Sequence, residues 1–494
     1  MKNVRIAIKS RSRFARCSAF LLYLQASLFF ITNILLPTSL CLRDIEPPFG
    51  AHLSGAYKKS FAYTTIKDRL PVILTRVIDT MSRDKEEIAR KFGDAAPEEL
   101  KQVIGSLSRL KSELMTNKPL APLSLAHSEA DADAAVWNEY LKVRGEVEGS
   151  TLAWFNTVWL LSECYMYRRI NQALILTKSL ATYDPFEKQK QDGFKNSLNS
   201  ITLLARHAMG LLRRTENVST AERKHELVKL LKLNLWGNRC DLSLSGGAES
   251  NSVGNPVELL DSFEADLLID DTKIVWDVLN KPNRAIDRTI VDIVLDNTGY
   301  ELFTDLCLAT FLVAHGLAQK VRFYVKRIPW FVSDVNLHDF HWTVDYMRNS
   351  SDTDLKAFGD ICAQHLKNKD WTIEIESFWT EPYDFGQMKE KSPALYGKLS
   401  EATLIVFKGD LNYRKLMADI NWEYTKPLEA VLWTLGFRPT NLVTLRTLKA
   451  DVCVGLAPGR AEELRAKDEN WMITGKYGVI NATSDATCLC TANQ

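Results

Sequence analysis

Four short, nearly continuous apolar runs in the second half of the chain constrain its fold more than any other feature. They are VDIVLDN at 291–297, KVRFYVK at 320–326, ATLIVFKGD at 402–410 and NLVTLRTLKA at 441–450. A strand that is apolar at consecutive rather than alternate positions buries both faces, as parallel strands do when helices cover the sheet on either side. Each run is followed by a segment of helical periodicity, so strand and helix alternate. The predicted fold class is α/β, with a Rossmann-like three-layer domain built on a parallel sheet. Any ligand site belongs at the strand carboxyl ends, where the following helix N-termini present free backbone N–H groups and positive dipole ends.

The first half is different. Ile73, Leu74, Val77, Ile78 and Met81 form one apolar stripe behind Pro71, a good first helical residue, and Leu100, Val103, Ile104, Leu107, Leu110 and Leu114 form another behind Pro97. Residues 151–174 are apolar on more than one face and predict a buried helix. The expected organisation is an N-terminal extension at 1–43, a mainly helical bundle domain at 44–242, a flexible Gly, Ser and Asn-rich loop at 243–256 and the α/β domain at 257–494.

The 494 residues carry a formal charge of +1, which excludes a nucleic-acid binder on bulk charge, so no nucleic acid partner is expected. That total hides a polarised start. Residues 1–43 hold seven Lys or Arg and no acid, and no residue from Cys17 to Leu42 is charged. This layout is that of a signal or anchor, with a mis-set translation start as the other reading. A membrane partner is expected only if 17–42 is retained as an anchor. Nine scattered cysteines without a CxxC pair suit a reduced interior, and the expected location is cytoplasmic, with a secretory or membrane-anchored one as the alternative. The sequons at Asn217, Asn349 and Asn481 decide little.

Following each strand to its end gives the candidate chemistry. The first run ends in Asp296 and Asn297 and leads to Glu301; the second leads through Trp330 to Asp334; the third ends in Gly409 and Asp410, followed by Leu411, Asn412, Tyr413 and Arg414; the fourth carries Arg446, Thr447, Leu448 and Lys449. Two carboxylates and an amide oxygen are hard donors suited to Mg or Mn. Arg and Lys on neighbouring strands would clamp an anion, so the set describes a metal-assisted phosphate site. Taken singly, Asp296, Asn297 and Asp334 are as well explained as helix caps; four strand ends with complementary chemistry favour a site. A rival metal triad is Asp334, His338 and His341 at i, i+4 and i+7. Asp270 and Asp271 suit capping of the helix TKIVWDVL, and Asp131 and Asp133 sit in a polar segment away from any strand end. GxxxxGK[ST], GxGxxG, GxSxG and C-x5-R signatures are all missing, which speaks against nucleotide-dependent transfer and serine hydrolysis.

WGNRCDLSL at 236–244, LDNTGYEL at 295–302, WFVSDV at 330–335, FKGDLNYRKL at 407–416, RTLK at 446–449 and GKYGVI at 475–480 together resemble the metal-dependent damage-control phosphatases, in the subfamily marked by an RTxK motif. YTTIKDRLPVILTRVID at 63–79 and ECYMYRRI at 163–170 extend the resemblance, which runs from about residue 46 to 494. It implies a phosphatase acting on sugar phosphates such as fructose 1-phosphate or fructose 6-phosphate. Asp296, Asn297 and Asp334 would hold Mn, Co, Ni or Mg, with Mn preferred, and Asp410 to Arg414 with Lys449 would hold the phosphate. It also implies an alternative, S-adenosylmethionine-dependent methylation of protein glutamates, in which Glu301 is implicated. Asn238 and Asp241 match a family motif and are expected behind the metal loop; Trp236 is expected to be core.

Overall fold

The computed structural model describes residues 42–124, 133–214, 218–245, 258–281 and 289–484. The start up to residue 41, Asp131, the sequon at Asn217, residues 246–256 of the expected loop and the side chains of Asn238 and Asp241 lie outside the described residues, while the first three residues of that expected loop end the helix Thr220–Ser245. Among the described residues, no helix is long and apolar enough to cross a membrane.

Seven strands form one sheet: β1 (Leu267–Asp270), β2 (Ile290–Val294), β3 (Lys320–Val325), β4 (Trp371–Ile375), β5 (Leu404–Lys408), β6 (Leu442–Thr447) and β7 (Gly478–Thr483), in the order β1-β7-β6-β5-β2-β3-β4. The four apolar runs are β2, β3, β5 and β6, and they are mutually parallel. The expectation of an all-parallel sheet needs one correction. β7 pairs antiparallel with β6, and β1 pairs parallel with β7, so one edge of the sheet runs against the rest.

Successive residues of the central strands enter opposite cores. Val291, Ile293, Leu404 and Val406 face one hydrophobic cluster, whereas Val294, Ile405 and Phe407 face the other. The first cluster contains helices α4 (Leu198–Leu212), α5 (Thr220–Ser245), α6 (Tyr300–Ala314), α7 (Leu337–Arg348) and α8 (Thr353–Asn368). The second contains α1 (Leu70–Arg83), α2 (Ala96–Met115) and α3 (Trp159–Ile175). The result is the three-layer arrangement. Helices from the first half of the chain cover both faces of the sheet, and each fully buried Leu, Val or Phe contributes about 1.5–3 kcal/mol to holding them there.

Pro71 and Pro97 stand in the opening turns of α1 and α2, where a missing N–H costs nothing. α3 is buried on nearly every face, as expected, but it begins at Trp159 and not at 151. Trp236 is core, 5.7 Å from the ring of Phe263.

Candidate active site

β2 is followed in sequence by β3 on one side, while β5 lies against its other side, so the gap between the ends of β2 and β5 is the point at which strand order reverses. Neighbouring connections there leave in opposite directions and open a crevice. Asp296 follows β2 and Gly409 follows β5. A cavity of about 210 Å³ lies at this point, lined by Asp296, Asn297, Glu301, Ser333, Asp334, Gly409, Asp410, Leu411, Arg414, Thr447 and Lys449, together with Arg69, Trp159 and Glu163 from the helical half.

Backbone geometry brings the loops after β2 and β3 into contact. Thr298 N–H donates to Ser333 O at 2.8 Å and Val335 N–H to Asp296 O at 2.8 Å, with Asn297 and Asp334 bridged between them. Phe331 and Val332 reach this path with φ of 44° and 71°. A β-branched residue rarely adopts such a conformation, so the loop that presents Asp334 stores strain held by its surroundings. Phe331 is gripped by the Tyr167 ring, stacked at 4.6 Å.

The Asn297 amide donates to Asp296 Oδ2 at 2.8 Å and to Glu301 Oε2 at 2.9 Å, and its oxygen accepts from Ser333 Oγ at 2.5 Å. Burial, then the charges of Asp334 and Glu301, push the Asp296 carboxyl well above the usual range. Burial also raises Asp334, against the pull of Lys326. Asp334 Oδ2 is buried without a hydrogen-bond partner, and Lys326 Nζ stands 3.3 Å away.

These observations fit a divalent cation. Asp296 and Asp334, crowded together with Glu301, are two acids with raised proton affinity, and the Asn297 NH₂ that bridges Asp296 and Glu301 stands where positive charge is needed. Turning the Asn297 amide over would supply a third hard oxygen and leave Ser333 an NH₂ partner. Among the described residues, no three His, Cys, Asp or Glu side chains are gathered as a closed metal group, so the fit depends on the amide.

Lys326 and Lys408, both buried, support the acids from below. Lys326 Nζ also donates to Leu295 O at 2.8 Å; Lys408 Nζ lies 2.8 Å from Asp305 and 3.4 Å from Glu301. Strand-end reading missed both, although a Lys terminating an otherwise apolar strand in YVK and VFK was a visible signal. Ser333, Arg69 and Glu163 were also missed as cavity residues; the latter two lie within the motifs at 63–79 and 163–170.

The expected phosphate clamp divides. Lys449 is exposed at the cavity and makes no ion pair among the described residues; its N–H donates to Asp410 Oδ1 at 3.2 Å. Arg414 lines the cavity, but its charge is offset by two carboxylates: both Asp419 oxygens accept at 2.9 Å, Glu163 accepts at 2.6 Å, and Trp159 lies 3.4 Å beneath. Arg446, fully buried, is tied to Asp410 at 2.8 Å and to the carbonyls of Ala450 and Val452. Arg446 is therefore a brace and not a free clamp, because carboxylates and carbonyls gathered by the fold satisfy its donors. Asn412, Tyr413 and Leu448 are buried and do not line the cavity; the Asn412 amide donates to Lys408 O and the Tyr413 hydroxyl accepts from Val454 N–H.

The rival triad does not assemble. Asp334 precedes α7 and its Asn336 cap, His338 pairs with Glu187 at 3.1 Å, and His341 is exposed. Asp270, not Asp271, bonds the first turn of the helix Thr272–Leu279, and Asp133 pairs bidentately with Arg168.

A family model described as the damage-control phosphatase ARMT1-like domain matches residues 65–464. The damage-control phosphatase ARMT1 of Homo sapiens is 43% identical over 437 residues, covering 87% of this chain and 98% of that protein. Its counterpart in Danio rerio is 40% identical over 438 residues, covering 87% and 96%. A solved DUF89 family protein from Pyrococcus horikoshii is 16% identical at a TM-score of 0.36, covering 72% of this chain and 91% of that one. The cavity at the β2/β5 switch point is thus a site within the matched segment, and the chain belongs to the ARMT1-like damage-control phosphatases.

Proposed function

We propose that the chain is a divalent-metal-dependent phosphomonoesterase acting on small sugar phosphates. Fructose 1-phosphate and fructose 6-phosphate are the first substrates to assay, and Mn the first ion, ahead of Ni, Co and Mg. The observation that carries this reading is the convergence of Asp296, Asn297 and Asp334 at the switch point, in one cavity with Lys449 and the N-terminus of the helix Gly409–Leu416.

Asp296, Asn297 and Asp334 would hold the ion, which when bound supplies Lewis acidity towards the ester phosphate. Lys449 and the backbone N–H groups that open the Gly409–Leu416 helix bind and orient the remaining phosphate oxygens. Lys326 offsets part of the rise that burial gives the Asp334 carboxyl, and Lys408 stands 3.4 Å from Glu301. The attacking group is either water or the Asp296 carboxylate; a phosphorylated aspartate isolated after acid quench assigns the latter, and an unmodified enzyme assigns water.

The test is phosphate release by the full chain from a sugar-phosphate panel with Mn. Activity should be stopped by EDTA and should fall at least about a hundredfold in Asp296→Ala and Asp334→Ala with circular dichroism unchanged. Near wild-type rates in both variants would show the site to be misassigned. Calorimetry with S-adenosylmethionine on the same preparation separates the methyltransferase alternative. We also propose a cytoplasmic location, checked by tagging the chain with and without residues 1–43.

A further inference from the structure

The phosphatase reading leaves one cavity cation without a use. Arg69 ends the five-residue π-helical turn Thr65–Arg69, which separates the short helix Phe61–Thr64 from α1. Such turns are rare and concentrate at functional sites, because they shift a side chain out of the α-helical register. Arg69 lines the same cavity as Asp296, Asp334 and Lys449. It is exposed, its guanidinium rests 5.1 Å from the Phe61 ring, and among the described residues it makes no hydrogen bond or ion pair.

The other positive groups are spoken for. Arg414 is neutralised by Asp419 and Glu163, Arg446 by Asp410, and Lys326 and Lys408 lie buried against the acids. Among the described residues, Lys449 and Arg69 are the lining cations that no carboxylate pairs, one from the end of β6 and one from the helical half. A phosphomonoester near neutral pH carries close to two negative charges on three oxygens. One ammonium balances half of that, whereas a guanidinium fork can engage two oxygens at once.

We infer that Arg69 is a second substrate-binding cation, which grips the ester phosphate together with Lys449 and biases the site towards dianionic monoesters over monoanionic diesters. This rests on the phosphatase reading, and it makes the N-terminal half part of the active site and not a scaffold alone. The competing role for Arg69 is to offset the charge of Glu163, whose proton affinity it lowers after the larger effects of burial and Arg414.

The test compares the Mn-loaded full chain with Arg69→Gln and Arg69→Lys. Arg69→Gln should raise both the KM for a monoester and the Kd for inorganic phosphate, measured by calorimetry, about tenfold, with kcat changed less than about threefold and Tm unchanged. Arg69→Lys should recover part of the loss. Phosphate binding and KM within about twofold of wild type in Arg69→Gln would overturn the inference. So would a fall in Tm that accounts for the loss, or a wild-type chain that binds no inorganic phosphate. If the wild type binds phosphate in an Arg69-dependent way yet hydrolyses no ester, the phosphatase reading falls and the anion subsite stands.

Discussion

A single methyl group at position 409 would undo the site. Gly409 has φ +80°, and a Cβ there would stand 1.9 Å from Asp296 Oδ2. Both the backbone conformation and the close approach of the carboxylate require glycine. Gly409→Ala should leave the chain folded but displace Asp296, lowering turnover at least about a hundredfold, the cost of moving a reacting group by about 1 Å. Steady-state kinetics beside a thermal melt checks this; unchanged kcat would mean that the Asp296 carboxylate has no part in turnover. The acids of this site were legible in the sequence only as a set: any one of them could be a helix cap, but four apolar strands ending in complementary polar chemistry are not explained by capping alone. The roles of the cations were not. Arg414, Arg446 and Lys449 look alike in a string of letters, and only the fold brings Asp419 and Glu163 to the first and Asp410 to the second while leaving the third open.

At the scale of elements, the site depends on two loops whose far ends are fixed by helices. The loop carrying Asp334 runs into α7, where the Asn336 side chain accepts from Asp339 N–H at 3.0 Å, Asp339 returns the bond to Asn336 N–H at 3.0 Å, and the Asn336 amide donates to Asp184 at 3.0 Å. Asn336→Ala removes the cap and the tie to the helical half, and should cost about 1–2 kcal/mol in denaturant unfolding. Because it also loosens the Asp334 loop, metal affinity measured by calorimetry should weaken; unchanged affinity would mean that the strained Phe331–Val332 turn positions Asp334 unaided. The same scale explains which strands were legible. β2, β3, β5 and β6 are buried on both faces and announce themselves. LLID, WTIEI and GVINAT are short, partly exposed or mixed, so β1, β4 and β7 carry no comparable signal. Even within the legible strands, the charges in VDIV and KVRFYV seem out of place until the register is known. Asp292 and Arg322 are direct cross-strand partners, joined at 2.6 and 2.9 Å within the buried sheet.

Across the whole molecule, the start of the described chain is stitched to segments almost four hundred residues away. Leu53 N–H donates to Asp419 O at 2.7 Å, Asn421 N–H to Ala51 O at 2.8 Å, and Phe61 N–H to Asp451 Oδ2 at 2.5 Å. Asp451 follows the RTLK segment and Phe61 precedes the turn that carries Arg69, so this contact couples the two walls that hold the free cations. Its carboxyl is shifted from 3.8 to about 6, chiefly by burial, with neighbouring acids adding to the rise and the Phe61 bond opposing it. A carboxyl that binds its proton more tightly when folded adds stability below the unfolded value, and that contribution is lost as pH rises through the folded value. Asp451→Asn keeps an acceptor for Phe61 N–H and never ionises. The variant and the wild type should therefore be equally stable near pH 4, and the variant should gain about 1–2 kcal/mol as pH rises past 6, a figure reduced from the full shift because Asp451 is only partly shielded from water. Denaturant midpoints taken from pH 4 to 7 measure this directly. A constant difference between the two proteins across that range would show that Asp451 titrates alike in the folded and unfolded chain, and that the contact joins the two walls at no electrostatic cost.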